Sequence, residues 1–216
     1  MQMMGFGHES GLCSDLLTPA QNAAIRDMHM TRSSKLFIRT AAKFWRSGTF
    51  PQNIQTDQLP RGVYCLDYPQ TENGVVLVSY TWEDDSQKLQ AFGPKDRFLL
   101  LREQLAVDTP EFAAALDPVN GEILSIDWQD QPGFHGAFKL NLPGQESANA
   151  ALFYQFQHVN TGKPALILAG DGVSWSGGWV EGALQTGLQA ACAALRSVGG
   201  KVRTGSPLEI KQRFTY

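Results

Sequence analysis

The sequence predicts a mixed α/β fold, and three observations carry that prediction. Short runs rich in β-branched and aromatic residues recur through the first two-thirds of the chain, segments with helical apolar spacing separate them, and near the C-terminus an apolar run crosses a glycine-rich turn into a helix of small residues. At 216 residues the chain is long enough to bury a real core.

The elements follow in order. Residues 1–15 show no periodicity; Gly5-Phe6-Gly7 approaches a dinucleotide fingerprint, but the third glycine position is Ser10 and no strand precedes it. Thr18-Pro19-Ala20-Gln21 combines a cap, a proline at the first helical position and a Gln three residues after the cap, opening a short helix to about Met28. Residues 35–40, 62–67 and 74–80 read as strands of an antiparallel meander, with Asn73-Gly74 as the turn between the last two. Residues 95–106, with Phe98, Leu101 and Leu105 on one face, and 109–116, with Thr109 as cap before Pro110, read as two helices.

A further strand at 123–128 leads into the glycine-rich aromatic passage 132–140. Residues 147–158 read as helix and 160–164 as loop. The apolar run 165–169 then reads as a buried strand. From Val180 a helix begins in which Gly182, Ala183, Thr186, Gly187, Ala190, Ala191 and Ala194 form a face with little bulk, able to approach a sheet or ligand closely. Beyond Gly199-Gly200 the tail is polar, and a loose C-terminus is expected.

Composition narrows the function classes. A formal net charge of -3 with scattered Lys and Arg offers no basic patch for nucleic acid. Cys13, Cys65 and Cys192 are isolated and form no CxxC, which disfavours a disulfide framework or structural zinc and predicts a reducing, cytoplasmic setting. His8, His29, His135 and His158 have no metal-ligand spacing, so no metal is expected. No apolar run is long enough to span a bilayer.

The most informative stretch is 165–183. A strand that ends at Gly170-Asp171-Gly172, turns through Ser and Trp residues and enters a helix aims unpaired backbone N–H groups and a positive dipole end at one spot, where an electron-rich ligand can sit. On periodicity alone, any parallel strand-loop-helix unit looks the same. A nucleophile elbow is a poor rival reading, because GxSxG fails at Ser176 and the turn is too long.

The segment from Leu168-Ala169-Gly170-Asp171 through Trp175-Ser176-Gly177-Gly178-Trp179-Val180-Glu181-Gly182-Ala183 resembles the C-terminal flavin motif of the flavin amine oxidase superfamily. Ser34-Lys35, ten residues before Trp45, resembles the strand bearing that family's flavin-facing lysine. Trp128, ten residues before Phe138 in Gly136-Ala137-Phe138, resembles the strand presenting one wall of its aromatic substrate cage. Within the superfamily, 136–145 and 178–186 are most similar to the bacterial amino-acid branch of L-amino-acid oxidases and monooxygenases.

The resemblance implies the C-terminal half of a two-domain FAD-dependent amine oxidase fold. Residues 1–160 are then part of a mixed-sheet substrate domain, 161–200 the closing strand, loop and helix of the FAD domain, and 201–216 a polar tail. It implies FAD as cofactor, with Gly170 and Asp171 meeting its sugar or ribityl hydroxyls and Gly178, Trp179 and Val180 offering N–H groups to its pyrimidine carbonyl. It makes Lys35 the catalytic lysine, holding a water at the flavin's reactive nitrogen and promoting the oxygen step. Phe138 and Trp179 become substrate-binding walls.

The expected partners are O2 and an L-amino acid, with the aromatic cage favouring an aromatic one. The family's GxGxxG unit is absent, so the resemblance also implies dependence on an N-terminal FAD-binding half or subunit, the chain being a truncated frame, a processed fragment or one part of a split enzyme. Two-electron oxidation at the α carbon would give either imino acid and hydrogen peroxide or the decarboxylated amide. The rival reading is a non-catalytic remnant or partner subunit.

Overall fold

The computed structural model describes residues 16–154, 166–201 and 203–205. Besides the two-residue strand Met30–Thr31, its strands are β1 Ser33–Thr40, β2 Asn53–Gln55, β3 Gly62–Leu66, β4 Gly74–Trp82, β5 Ile123–Asp127 and β6 Phe138–Lys139. Its α-helices are α1 Pro19–Asp27, α2 Glu83–Gln90, α3 Pro94–Asp108, α4 Pro110–Ala115, α5 Glu146–Phe153 and α6 Val180–Ser197. The chain divides into two compact units: Thr31–Gly136, and a unit formed by the two ends of the chain, up to Met30 and from Ala137. This division follows packing, whereas the sequence division at 160/161 follows the resemblance.

In the unit Thr31–Gly136 five antiparallel strands lie in the order β2-β3-β4-β1-β5. The strands predicted at 35–40, 62–67 and 74–80 are present, but they do not form a simple meander. β1 pairs with β4 on one side and β5 on the other, so the earliest strand sits inside the sheet. Along it Ser34, Leu36, Ile38 and Thr40 are buried on one face, while Lys35, Phe37 and Arg39 on the other are half-buried.

The core of this unit joins Leu36, Ile38, Val63, Cys65, Val76 and Val78 to Leu89, Phe98, Leu101, Leu105, Phe112 and Leu116 of the helical layer. Burial pushes the Cys65 thiol up to about 12, so it serves as packing and not as a nucleophile. Both predicted helices, α3 and α4, form. Thr109 does not cap α4 with its side chain, however; its hydroxyl donates back to the Leu105 carbonyl (3.0 Å) at the end of α3. Helix α2 was not predicted. Its sequence is polar, and only Ser86 and Leu89 are buried.

In the other unit the predicted capping box at Thr18 and Gln21 is complete, with Gln21 N–H on the Thr18 hydroxyl (3.2 Å) and Thr18 N–H on the Gln21 side chain (2.9 Å). Ala24, Leu152, Leu168 and Val173 form a small core with Leu17, Ile25, Met28 and Ala148 against it. Gln145 ties α5 to the end of α1 by donating to the Asp27 carbonyl (2.9 Å). The Leu140 N–H donates to the His29 carbonyl (3.2 Å) just past β6.

One expectation is corrected here. Residues 166–169, the described part of the predicted strand 165–169, belong to no strand ladder, although Leu168 is buried. An apolar run becomes a strand only beside another strand, and no described segment supplies that edge. The predictions at 1–15, 155–164 and 206–216 fall outside the described residues.

Candidate functional site

The site is built on the loop between 170 and 179. Gly170 has φ +124°, a conformation that favours glycine, and a Cβ there would meet open space, so its backbone is accessible. Its N–H donates to the Thr186 hydroxyl (2.9 Å), which fastens the start of the loop to α6. One turn of 3-10 helix, Asp171–Val173, follows. The Asp171 carboxylate then reaches across the loop, its Oδ2 accepting the Gly178 N–H at 2.9 Å. Loop start and helix start are thus joined by one carboxylate.

Helix α6 begins at Val180 with Trp179 as its N-cap, and no side chain caps it. Its first-turn N–H groups therefore emerge beside Asp171 with the positive end of an 18-residue helix behind them. The close packing expected of the small-residue face holds at Gly182, where a Cβ would lie 2.2 Å from the Ser174 hydroxyl and 2.4 Å from the Ser176 carbonyl oxygen. It is partial elsewhere: Thr186 and Ala193 are buried, whereas Gly187, Ala191 and Ala194 are exposed.

Phe138 on β6 packs against the same loop, since a Cβ on Gly178 (φ +78°) would stand 3.1 Å from its ring. Trp179 is 73% exposed and Val180 76%. Neither is a core residue of this unit. Phe138, Gly170, Asp171, Gly178, Trp179 and Val180 are therefore brought together in one unit.

Lys35 belongs to the other unit. It is half-buried on β1, paired across the sheet with Tyr80 of β4 and Ile126 of β5, with Nζ 4.6 Å from the centre of the Tyr80 ring. Tyr80 in turn meets Trp82 edge to face, with ring centres 5.5 Å apart. Immediately before it, the Ser34 hydroxyl bonds Asp127, which is held by Arg97 (2.9 Å).

Three contributors had no signal in the sequence. Lys139 is buried and donates to the Ser174 carbonyl (2.6 Å). Ser174 braces the loop by donating to the Asp171 carbonyl (2.7 Å) and accepting the Ser176 N–H (3.0 Å). Thr186 latches Gly170. The sequence marks these residues as a polar strand position, a loop serine and one small residue on a helix.

Among the described residues no group of three His, Cys, Asp or Glu side chains could hold a metal ion, and no helix is long and apolar enough to cross a membrane.

Residues 10–195 match the family model described as flavin containing amine oxidoreductase. The chain belongs to that family. Among the amine oxidoreductases, it is 48% identical to tryptophan 2-monooxygenase of Pseudomonas savastanoi, over 89% of this chain and 37% of that one. It is 42% identical to tryptophan 2-monooxygenase of Rhizobium radiobacter, over 90% of this chain and 27% of the relative. An L-amino-acid oxidase of Siganus canaliculatus is 27% identical over 78% of this chain.

In structure, putrescine oxidase bound to putrescine superposes with a TM-score of 0.64 at 15% identity, over 83% of this chain and 38% of the other. Cyclohexylamine oxidase from Brevibacterium oxydans gives 0.61 at 20% identity, over 82% and 38%. These likenesses establish the amine oxidoreductase fold of the segment. The chain spans only 37% of the length of the Pseudomonas relative and 27% of the Rhizobium one.

Flavin is the family's cofactor, and the donor set suits it. Uncapped helix N–H groups match a carbonyl that gains charge on reduction, a loop carboxylate matches sugar hydroxyls, and the bare Gly170 backbone leaves room for close approach.

Proposed function

We propose that this chain is the substrate-side and closing portion of an FAD-dependent enzyme that oxidises an L-amino acid, tryptophan foremost, at its α carbon. The observation that carries the reading is the exposed Trp179 at the uncapped start of α6, beside Phe138 and the Asp171 loop, in a chain 48% identical to a tryptophan 2-monooxygenase. Bound FAD would take two electrons from the substrate and pass them to oxygen. Gly178, Trp179 and Val180 would offer N–H groups to its pyrimidine carbonyl, and Gly170 and Asp171 would meet its hydroxyls. Phe138 and Trp179 would guide the amine, and Lys35 would hold a water and assist the oxygen step.

Two balanced outcomes are open to such a site. Amino acid and O2 give the amide, CO2 and water, or they give the imino acid and H2O2, with water later hydrolysing the imine to 2-oxo acid and ammonia. Identity to the tryptophan 2-monooxygenases supports the first.

The proposal includes dependence on a separate N-terminal FAD-binding half, and the faces of α6 support this. At about 100° per residue, Val180, Leu184, Leu188, Ala191 and Leu195 fall within one 80° arc, opposite the buried Gly182, Thr186 and Ala193. Val180, Leu184, Leu188 and Leu195 are exposed large apolar residues. A stripe of that kind is surface patterned for a neighbour, and the relatives' additional length supplies a candidate of the right family. The division into a substrate part at 1–160 and a closing part at 161–200 belongs to the same reading, as does a cytoplasmic setting.

The test is kinetic. The chain is assembled with the flavin half of a relative, and wild type and Lys35→Met are followed by stopped flow with tryptophan. The reading predicts amide as product and, in the variant, reoxidation by oxygen slowed far more than anaerobic reduction. Equal slowing of both steps, or neither, removes Lys35 from the oxygen step. Absence of any flavin reduction by amino acids contradicts the proposed reaction.

A further inference from the structure

Lys139 is buried, at 1% exposure, next to Leu140, which reaches the surface. A buried ammonium is costly unless its protons are accepted. Here the acceptor is main chain, the Ser174 carbonyl at 2.6 Å. Ser174 is fully buried in the middle of the loop and braces it through Asp171 and Ser176. A second contact is independent of the ammonium: a Cβ on Gly177 would lie 2.3 Å from the Lys139 carbonyl oxygen, so the backbone of β6 is the surface on which Gly177 is seated.

We infer that Lys139 is a positioning residue for the flavin: by holding Ser174 and seating Gly177 it sets the separation of Asp171 from the amides of Gly178, Trp179 and Val180. The inference rests on the flavin reading of that loop. Structural packing alone does not account for a lysine here, because an apolar side chain of similar length fills the same volume without the desolvation cost. What the apolar side chain lacks is a donor aimed at one carbonyl. Burial lowers the Lys139 ammonium to about 8, and the nearby Asp171 carboxylate opposes that shift.

Two measurements test this. In the full chain, hydrogen exchange is compared for wild type, Lys139→Met and Lys139→Arg. The methionine variant should exchange faster at 177–180 by about tenfold to a hundredfold, the loss expected for one hydrogen bond from a charged group, with a melting temperature equal to or above wild type. Arginine should restore part of the protection. Gly177→Ala, which presses on the same contact from the other side, should loosen the same amides. Unchanged exchange at 177–180 in Lys139→Met overturns the inference.

In the chain assembled with a relative's flavin half, FAD affinity is then titrated by fluorescence quenching, with Asp171→Asn as reference. Weakening by both Lys139→Met and Asp171→Asn supports the inference. Weakening by Asp171→Asn alone overturns it and leaves the flavin reading standing. Wild-type affinity in both variants overturns the flavin reading of the loop and the inference with it.

Discussion

The two units differ in how much apolar surface they gather into a core of their own. In Thr31–Gly136 every strand of the five-stranded sheet has a neighbour, and large side chains such as Leu101, Leu105 and Phe112 are buried in one core with Leu36 and Val78. In the other unit the core is small, built on Ala24, Leu152, Leu168 and Val173, while α6 turns Val180, Leu184 and Leu188 outward and 166–169 joins no ladder. The first unit builds a large core of its own, although Trp82, Val107 and Leu124 on its surface stay exposed. The second unit leaves an apolar stripe along α6 exposed, and the candidate flavin loop stands in that unit.

The same substitution made in both units gives the largest contrast. Leu101→Ala, at a site with no exposure, should cost about 2–5 kcal/mol, whereas Leu188→Ala on the outer face of α6 should stay within about 0.5 kcal/mol. Denaturant melts of the isolated chain measure both. A cost above about 2 kcal/mol for Leu188→Ala would show that the stripe is core after all.

A pH effect comes next. Lys139 is held near 8 against an ordinary 10.5, so between those values the unfolded chain binds more protons than the folded one, and stability should rise with pH across that window. The burden on the fold is fully present below 8 and relieved as the ammonium loses its proton. Chemical melts at pH 7.5, 9 and 10 should show the rise in wild type and lose it in Lys139→Met. An identical rise in the variant assigns it to other groups.

The smallest effect on stability is expected at Trp179. At 73% exposure, Trp179→Leu should change stability by less than about 0.5 kcal/mol while sharply slowing anaerobic flavin reduction in the assembled protein. A large loss of stability with an unchanged reduction rate would make Trp179 a packing residue.

Sequence reading succeeded where local rules govern. The Thr18/Gln21 box, the runs that became β1, β3 and β4, and the start of α6 at Val180 are set by caps, alternation and turn residues within a few positions of each other. It failed where the decision is made at a distance. Residues 166–169 have strand composition, yet a strand is a property of a pair, and the position of β1 between β4 and β5 depends on partners as far away as Asp127, which pairs with Ser34. At the site, glycines and Asp171 were legible because backbone geometry constrains their type. Lys139 was not: a lysine between Phe138 and Leu140 has the spacing of a solvated residue, and only the packed loop reveals that its ammonium is inside.

The most direct measurement of the central claim is visible flavin absorbance. The 216-residue chain is purified alone and after co-expression with the N-terminal flavin half of a tryptophan 2-monooxygenase relative. The account predicts a colourless protein alone, with its α6 stripe uncovered, and a yellow complex with one flavin per pair after co-expression. A stoichiometrically flavinylated monomer from the chain alone would contradict it, as would a colourless, unassociated mixture of the two halves.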